Sequence, residues 1–416
     1  MYGGLGMSEE VRRGWPVIAG LLLIESMFWA SCTGTMEVFF HPLIREFAAN
    51  HEQVARIPTV FLLMVALTSP VAGWLCDRVR IPWLMAAGAL LAGGGLLLAS
   101  QARSLGELIA LYCIVGVGAA AGTMLPSIVL ISEWFAEQRG LVIGIVFSGL
   151  ALGLLYNPPL FSFLALRYGW RWSIALVGAQ VLIFGLSIDL ILLRPPPAAR
   201  IRASKARTDE PGLELGAAIR TWAFWLLIAI NFLFLAVMGA VYFHVVPFLM
   251  SLGFGAQRSA TLLGLQNLSL PAGLIITGWA ADRFDPRWVL IVNCLLLGVA
   301  VMGLMGTAVY PPIMLVYMLF YASTLGATGP TVPLIIIQSL GIRRLGTING
   351  ATNSAGQLGA AAAAWLTGRL ADATGGYMLA FELAVAYCLL AALCTWLVRP
   401  AQGEAFAQTA LAQAAP

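Results

Sequence analysis

The eight residues Gly73-Trp74-Leu75-Cys76-Asp77-Arg78-Val79-Arg80 return later in the chain as Gly278-Trp279-Ala280-Ala281-Asp282-Arg283-Phe284-Asp285. In both places an apolar run ends in Gly-Trp-x-x-Asp-Arg, a short basic turn follows, and another apolar run begins, at Trp83 and at Trp288. The chain is therefore a duplication, and each copy holds two long apolar helices joined by a tight, charged loop. Composition decides the solvent: 60% of the 416 residues are hydrophobic and 10% are charged, against about 25% charged in an ordinary soluble domain. A spanning helix needs about 20 mainly apolar residues. That ruler divides the chain into twelve segments, 16–40, 54–76, 82–100, 105–131, 140–164, 172–193, 222–250, 259–280, 288–308, 313–338, 347–369 and 377–398. The expectation is an all-α membrane protein with twelve transmembrane helices in two pseudo-symmetric six-helix bundles.

The bundles are expected at 1–194 and 221–400, with a linker at 195–220 and a tail at 401–416. Pro195-Pro196-Pro197 stop the sixth helix, and the linker then mixes Arg200, Arg202, Lys205 and Arg207 with Asp209, Glu210 and Glu214. The run from Pro16 to Phe40 is too long for a cleavable signal and is read as the first span. With the N-terminus inside, 16 of the 23 basic residues flank cytoplasmic helix ends, so the positive-inside tendency puts both termini in the cytoplasm. The net charge of +4 reports that topology, and no basic surface array of the kind nucleic acid requires is present. The six cysteines sit in or at the ends of spans without metal-type spacing and read as small packing residues.

Further motifs cluster between the fourth and fifth spans. Trp134-Phe135-Ala136-Glu137-Gln138-Arg139-Gly140-Leu141 is followed by Gly144, Ser148, Gly149 and Gly153, and Gly14-Trp15, Val38-Phe39-Phe40 and Tyr168-Gly169-Trp170-Arg171-Trp172 occur elsewhere. Two six-span halves carrying the same loop after their second span resemble the major facilitator superfamily over nearly the whole chain. The further motifs resemble its monocarboxylate and oxalate/formate branch. The resemblance implies a secondary active transporter of the inner membrane. It would move a small organic metabolite by alternating access, with a proton as possible co-substrate, as a monomer and without a cofactor. Gly73 and Gly278 suit close helix approach, and Asp77 and Asp282 can accept hydrogen bonds from a neighbouring helix N-terminus. With Arg78, Arg139 and Arg283 they form an expected gate.

Four acids fall inside spans: Glu25, Glu37, Asp189 and Glu382. Charges there are costly and mark function or pairing. Ser26, Thr33 and Glu37 would share one face of the first helix, so Glu37 is read either as a substrate or proton contact or as the partner of Arg45 or His41. Glu25, Glu37 and His244 are the expected proton-coupling groups, although a lone histidine also serves as an ordinary core group. Asp189 and Glu382 are expected to be structural or interfacial. Asn349, Asn353 and Gln357 fall on one stripe of the eleventh helix, either as helix-packing amides or as a substrate wall. Thr123 with Ser127, Tyr156 with Asn157, Tyr242, Gln266 with Asn267, and Tyr321 with Tyr317 complete the expected substrate ring.

Departures from the branch pattern bear on the substrate. Where the resemblance implies an arginine eight residues before the second motif aspartate stands Leu274, and where it implies a basic residue on the first helix stands Gly34. The chain's one lysine is Lys205 in the linker. A small carboxylate would need amides, tyrosine hydroxyls and helix dipoles, or would enter protonated. The expected substrate is thus an organic acid or a weakly charged or neutral solute. A drug or metabolite exporter of the same superfamily and a non-transporting membrane sensor are the alternatives. No HExxH, Walker-type loop or nucleophile elbow occurs, so an enzyme is not expected.

Overall fold

The computed structural model describes residues 9–34, 36–193 and 212–399. Twelve spans follow one another. α1 runs through Glu9–Ile24, a π-helical turn Glu25–Trp29, Ala30–Gly34 and Met36–Phe47; α2 is His51–Cys76 and α3 Ile81–Ala99. α4 comprises Leu105–Gly122 and Met124–Trp134, α5 is Arg139–Tyr168, and α6 runs from Trp170–Gln180 through a π-helical Val181–Gly185 to Leu186–Ile191. In the second half α7 is Trp222–Tyr242, continued by Val245–Ser251, and α8 joins Ala256–Gln266, a 3-10 turn Asn267–Ser269 and Leu270–Arg283. α9 is Pro286–Gly306, α10 pairs Met314–Leu325 with Thr328–Leu340, α11 is Leu345–Thr374 and α12 is Met378–Leu397. No strand occurs among the described residues, only an isolated antiparallel bridge between Gly212 and Gly341.

Two apolar cores hold the bundles. One gathers residues from Val17 to Leu193 and admits Leu270, Leu274 and Ala322 from the other half; the second runs from Ala218 to Val398. Large apolar side chains also cover the outside, Leu166 at 88% and Trp222 at 85% exposure, which water would penalise and lipid tails do not.

By length and apolarity alone, nine helices among the described residues can cross a membrane, or ten when the two segments of α10, bent by 44°, count as one. The two spans that fail this test are α8 and α11. α8 carries Gln266, Asn267 and Ser269, and α11 carries Asn349, Thr352, Asn353 and Gln357. These helices form the contact between halves, α11 packing on α2 and α8 on α5. Their polar residues are turned inward, Ser269 to Met318 within the second half and Asn353 to Ser69 across the halves, so hydropathy understates them.

α7 breaks at Phe243 and His244, one turn before Pro247. Proline lacks the N–H that would reach the carbonyl four residues back. The polar stripe expected from Ser26 to Thr33 and Glu37 assumed regular α-helical spacing. The π-helical turn intervenes, so a count at 3.6 residues per turn does not carry one face across it. The side chains of Thr33 and Glu37, linker residues 195–211 and the tail 401–416 lie outside the described residues.

Candidate functional site

The two motif loops meet the other half of the molecule crosswise. Asp77, at the end of α2, accepts hydrogen bonds from the Gly346 and Thr347 amides at 3.0 and 2.9 Å and from the Thr347 hydroxyl at 2.6 Å. Asp282, in the last turn of α8, accepts from the Gly140 and Leu141 amides, both at 2.7 Å. Each carboxylate thus caps the first turn of a helix in the opposite bundle, where unpaired amides and the helix dipole favour a negative charge.

Backbone packing fixes the approach. A Cβ on Gly73 would run into the Gly346 carbonyl, and one on Gly278 into the Gly140 carbonyl, so both contacts require the motif glycine. The motif arginines instead stack on aromatic rings, Arg78 over Trp74 at 4.0 Å and Arg283 over Trp279 at 5.2 Å. The four-residue spacing brings each arginine back over its tryptophan, inside the helix for Arg283 and in the turn just past it for Arg78. Arg139 donates through Nε to the Phe135 carbonyl at 2.7 Å, and its charge acts on Asp282.

One contact at this end was not legible from the motifs. Leu213 donates its amide to Leu340 at 2.9 Å, and Glu214 accepts from Arg344 at 2.7 Å and pairs with Arg343 at 3.1 Å. The Arg344 hydrogen bond and the charges of Arg344, Arg343 and Arg78 hold the Glu214 carboxyl below its usual range, against a smaller opposing effect of burial. The end of the linker is clamped to the first residues before α11, beside the Asp77 cap.

Deeper in the first half, Glu25 is fully buried in the π-helical turn of α1. Its Oε1 accepts from Ser127 Oγ at 3.1 Å, and its Oε2 has no hydrogen-bond partner. Ser127 follows the break in α4 at Thr123, whose backbone sits at φ −132° and ψ −125°, and its hydroxyl also lies 3.1 Å from the Thr123 carbonyl. One hydroxyl proton therefore faces two acceptors. Thr123 turns its own hydroxyl back to Ala119 at 2.7 Å. One residue on from Glu25, Ser26 reaches the Tyr156 hydroxyl at 3.3 Å, and its carbonyl takes the Asn157 amide at 3.0 Å, leaving Asn157 Oδ1 without a partner. α4 thus meets the buried acid of α1 directly, and α5 meets the serine beside it.

The second half has polar groups of another kind. Gln266, at the 3-10 turn of α8, is 1% exposed with neither amide atom partnered. It adjoins Tyr317, and the rings of Tyr317 and Tyr321 lie 4.9 Å apart, both hydroxyls buried without partners. Tyr242 of α7 flanks both rings. Asn267 and Gln357 are half-buried and Asn349 is buried. Asn353 leaves the amide stripe to donate across the halves to Ser69 at 2.9 Å. His244 sits apart: its Nδ1 lies 3.1 Å from the Ala240 carbonyl and its ring 5.7 Å from Tyr377, at the end of α7 away from the motif loops. Asp189 is buried with Oδ1 unpartnered, and Glu382 is exposed. Leu274 fills the bend of α10 against Gly326.

The family model of the Major Facilitator Superfamily matches residues 19–364. Monocarboxylate transporter 13 of Bos taurus is 27% identical over 395 residues, covering 92% of this chain and 89% of its own. Monocarboxylate transporter 12 of Homo sapiens is 23% identical over 403 residues, covering 89% and 77%. Among solved structures, the proton:xylose symporter XylE bound to 6-bromo-6-deoxy-D-glucose superposes with a TM-score of 0.76 at 15% identity, covering 97% of this chain and all of that one. The E. coli fucose:proton symporter FucP superposes at 0.71 and 14%, covering 93% of this chain and 100% of its own.

Proposed function

The chain belongs to the major facilitator superfamily as a monocarboxylate-transporter-like member, and we propose that it carries a small organic solute across the cell membrane together with a proton. The single observation that supports this reading best is Glu25, a fully buried carboxyl with one free oxygen between two interrupted helices. An ionised carboxylate buried without a countercharge costs several kcal/mol, so a group in this position exchanges its proton when water gains access. Ser127 supplies a local relay. A protonated Glu25 donates to Ser127 Oγ, whose own proton turns to the Thr123 carbonyl; an ionised Glu25 takes that proton bond back.

The rest of the reading follows from where the halves meet. The Asp77 and Asp282 caps hold the motif ends of the bundles together, and their release opens a path from that side. Residues 1–194 and 221–400 act as the two moving bundles, joined by 195–220, with both termini in the cytoplasm and one chain as the working unit. Tyr156, Asn157, Tyr242, Gln266, Asn267, Tyr321, Asn349 and Gln357 line the path in alternation, Thr123 contributes from the first half, and Asn353 joins them when the halves part.

Reconstituted protein tests this. An inward acid gradient should drive accumulation of a short-chain monocarboxylate, a protonophore should abolish it, and Glu25→Gln should lose gradient-driven accumulation while retaining counterflow. Accumulation by Glu25→Gln equal to that of the natural chain would remove Glu25 from the proton step.

A further inference from the structure

We propose that Gln266, Tyr317 and Tyr321 form a subsite for a neutral planar group that pairs a carbonyl acceptor with a donor, an undissociated carboxyl or a primary carboxamide. The inference deepens the transport reading above and rests on it for the route by which the ligand arrives.

Three observations carry it. The first is the inventory of free atoms. Gln266 Nε2, Gln266 Oε1, Tyr317 Oη and Tyr321 Oη are all buried with no hydrogen bond of regular geometry, only a loose approach of Gln266 to Tyr317 and of Tyr321 to the Tyr242 backbone, and their side chains are 1%, 0% and 0% exposed. Buried polar groups are nearly always paired, and leaving one unpaired costs about 1–3 kcal/mol. An amide, a donor beside an acceptor, is matched by a group that offers an acceptor beside a donor: a carboxyl O–H to Gln266 Oε1 and its carbonyl from Nε2, or the same pair from a carboxamide. The tyrosine hydroxyls serve the remaining lone pairs.

The second observation is the absence of countercharge. The α7 segment Trp222–Tyr242 and the α10 segment Met314–Leu325, which pack around the cluster, contain no charged residue. On α8, Arg258 is exposed and lies over Phe254, while Asp282 and Arg283 stand at the far end of the helix. Leu270 and Leu274, both apolar and buried, follow one and two turns farther along the helix toward the motif. A carboxylate ion here would set its charge against the lone pairs of Oε1 with nothing to neutralise it, which a neutral acid or amide avoids. The third is the backbone: α8 changes to a 3-10 turn directly after Gln266, so the amide stands at the last regular turn before the helix changes its winding.

The test uses the purified full chain and equilibrium dialysis of radiolabelled propionic acid, propionamide and ethanesulfonate. The dissociation constant for total propionic acid should rise about tenfold per pH unit above the acid's own pKa, as the undissociated fraction falls by that factor. That for propionamide should stay level, and ethanesulfonate, always ionised, should not bind. Gln266→Leu should weaken both the acid and the amide roughly tenfold, the loss of two modest hydrogen bonds. Gln266→Met, closer in volume, gives the same readout should the leucine variant fold poorly. In Glu25→Gln the acid's pH slope should persist, because it belongs to the ligand.

Binding of propionic acid that ignores pH, ethanesulfonate binding equal to it, unchanged affinities in both Gln266 variants, or no binding of either neutral probe would each overturn the proposal; the last two would leave water as the cluster's occupant. Gradient-driven propionate accumulation with pH-independent binding would sink this inference and leave the transport reading standing. The predicted binding pattern without counterflow would do the reverse.

Discussion

The two halves of this molecule agree at one end and differ in depth. At the motif end each contributes an aspartate that caps a helix of the other, and each presents a glycine against the other's backbone. In depth the first half buries an acid between interrupted helices, whereas the second buries an amide of α8 beside two tyrosines of an α10 segment without charge. Duplication has thus preserved what both copies must do together, closing against each other, and has let the interiors diverge. That division separates residues that must match from residues that define the cargo.

The largest expected effects come from the shared part. Gly73→Val or Gly278→Val places carbon where a carbonyl of the opposite helix already sits, and helix surfaces cannot absorb that without moving apart. Each should lower transport by more than about tenfold, an expectation drawn from the 1–3 kcal/mol typical of overpacking. Spin labels at Arg80 and Phe284 should report a wider separation at the motif end. Equal transport and an unchanged distance distribution would mean that this contact does not form during the cycle.

Next come the caps themselves, where the halves are similar but not equal. Asp77 receives three hydrogen bonds and Asp282 two, because α11 begins Gly346-Thr347 where α5 begins Gly140-Leu141. Asp77→Asn should therefore open the motif end more than Asp282→Asn, each by the roughly 1.5–3 kcal/mol of a bond to a charged group. Thr347→Val, which deletes the third bond, should bring the two aspartate variants level. If Asp282→Asn proves the more disruptive, Arg139 outweighs the threonine hydroxyl.

Much of this was visible in the residues. The repeated Gly-Trp-x-x-Asp-Arg located both glycines and both aspartates, and the dense apolar runs located the spans. The crossing of the caps was not visible, since nothing in Asp77 names Gly346 as its partner and only the packing of α2 on α11 brings them together. Ser69, which takes Asn353, has no distinguishing neighbour in the sequence, so the amide stripe could be read as a wall but not as a bridge. Glu25 could be ranked as a buried acid, but its π-helical turn could not, because a π turn leaves no spacing signature in a helix this apolar. His244 could be read as a proton-coupling group or a core group from its type, and nothing in the sequence paired it with the Ala240 carbonyl or the Tyr377 ring.

The smallest effect tests whether the linker takes part in the asymmetry. Glu214 clamps residues 213–214 to Arg343 and Arg344 at the start of α11, and the described residues show such a clamp on the Asp77 side. Its side chain is 39% exposed, so solvent screening limits the pair to less than about 1 kcal/mol. Glu214→Gln should accordingly shift the motif-end distance distribution by no more than about fivefold in population, and in the same direction as Asp77→Asn. The sign with pH follows from the lowered carboxyl: the contribution is fully present above the unfolded glutamate value of about 4.3 and is lost as pH falls through the lower folded value. Natural chain and variant should differ at neutral pH and converge in acid. No difference at any pH would place the clamp's energy in backbone pairing between Leu213 and Leu340, not in the charge of Glu214.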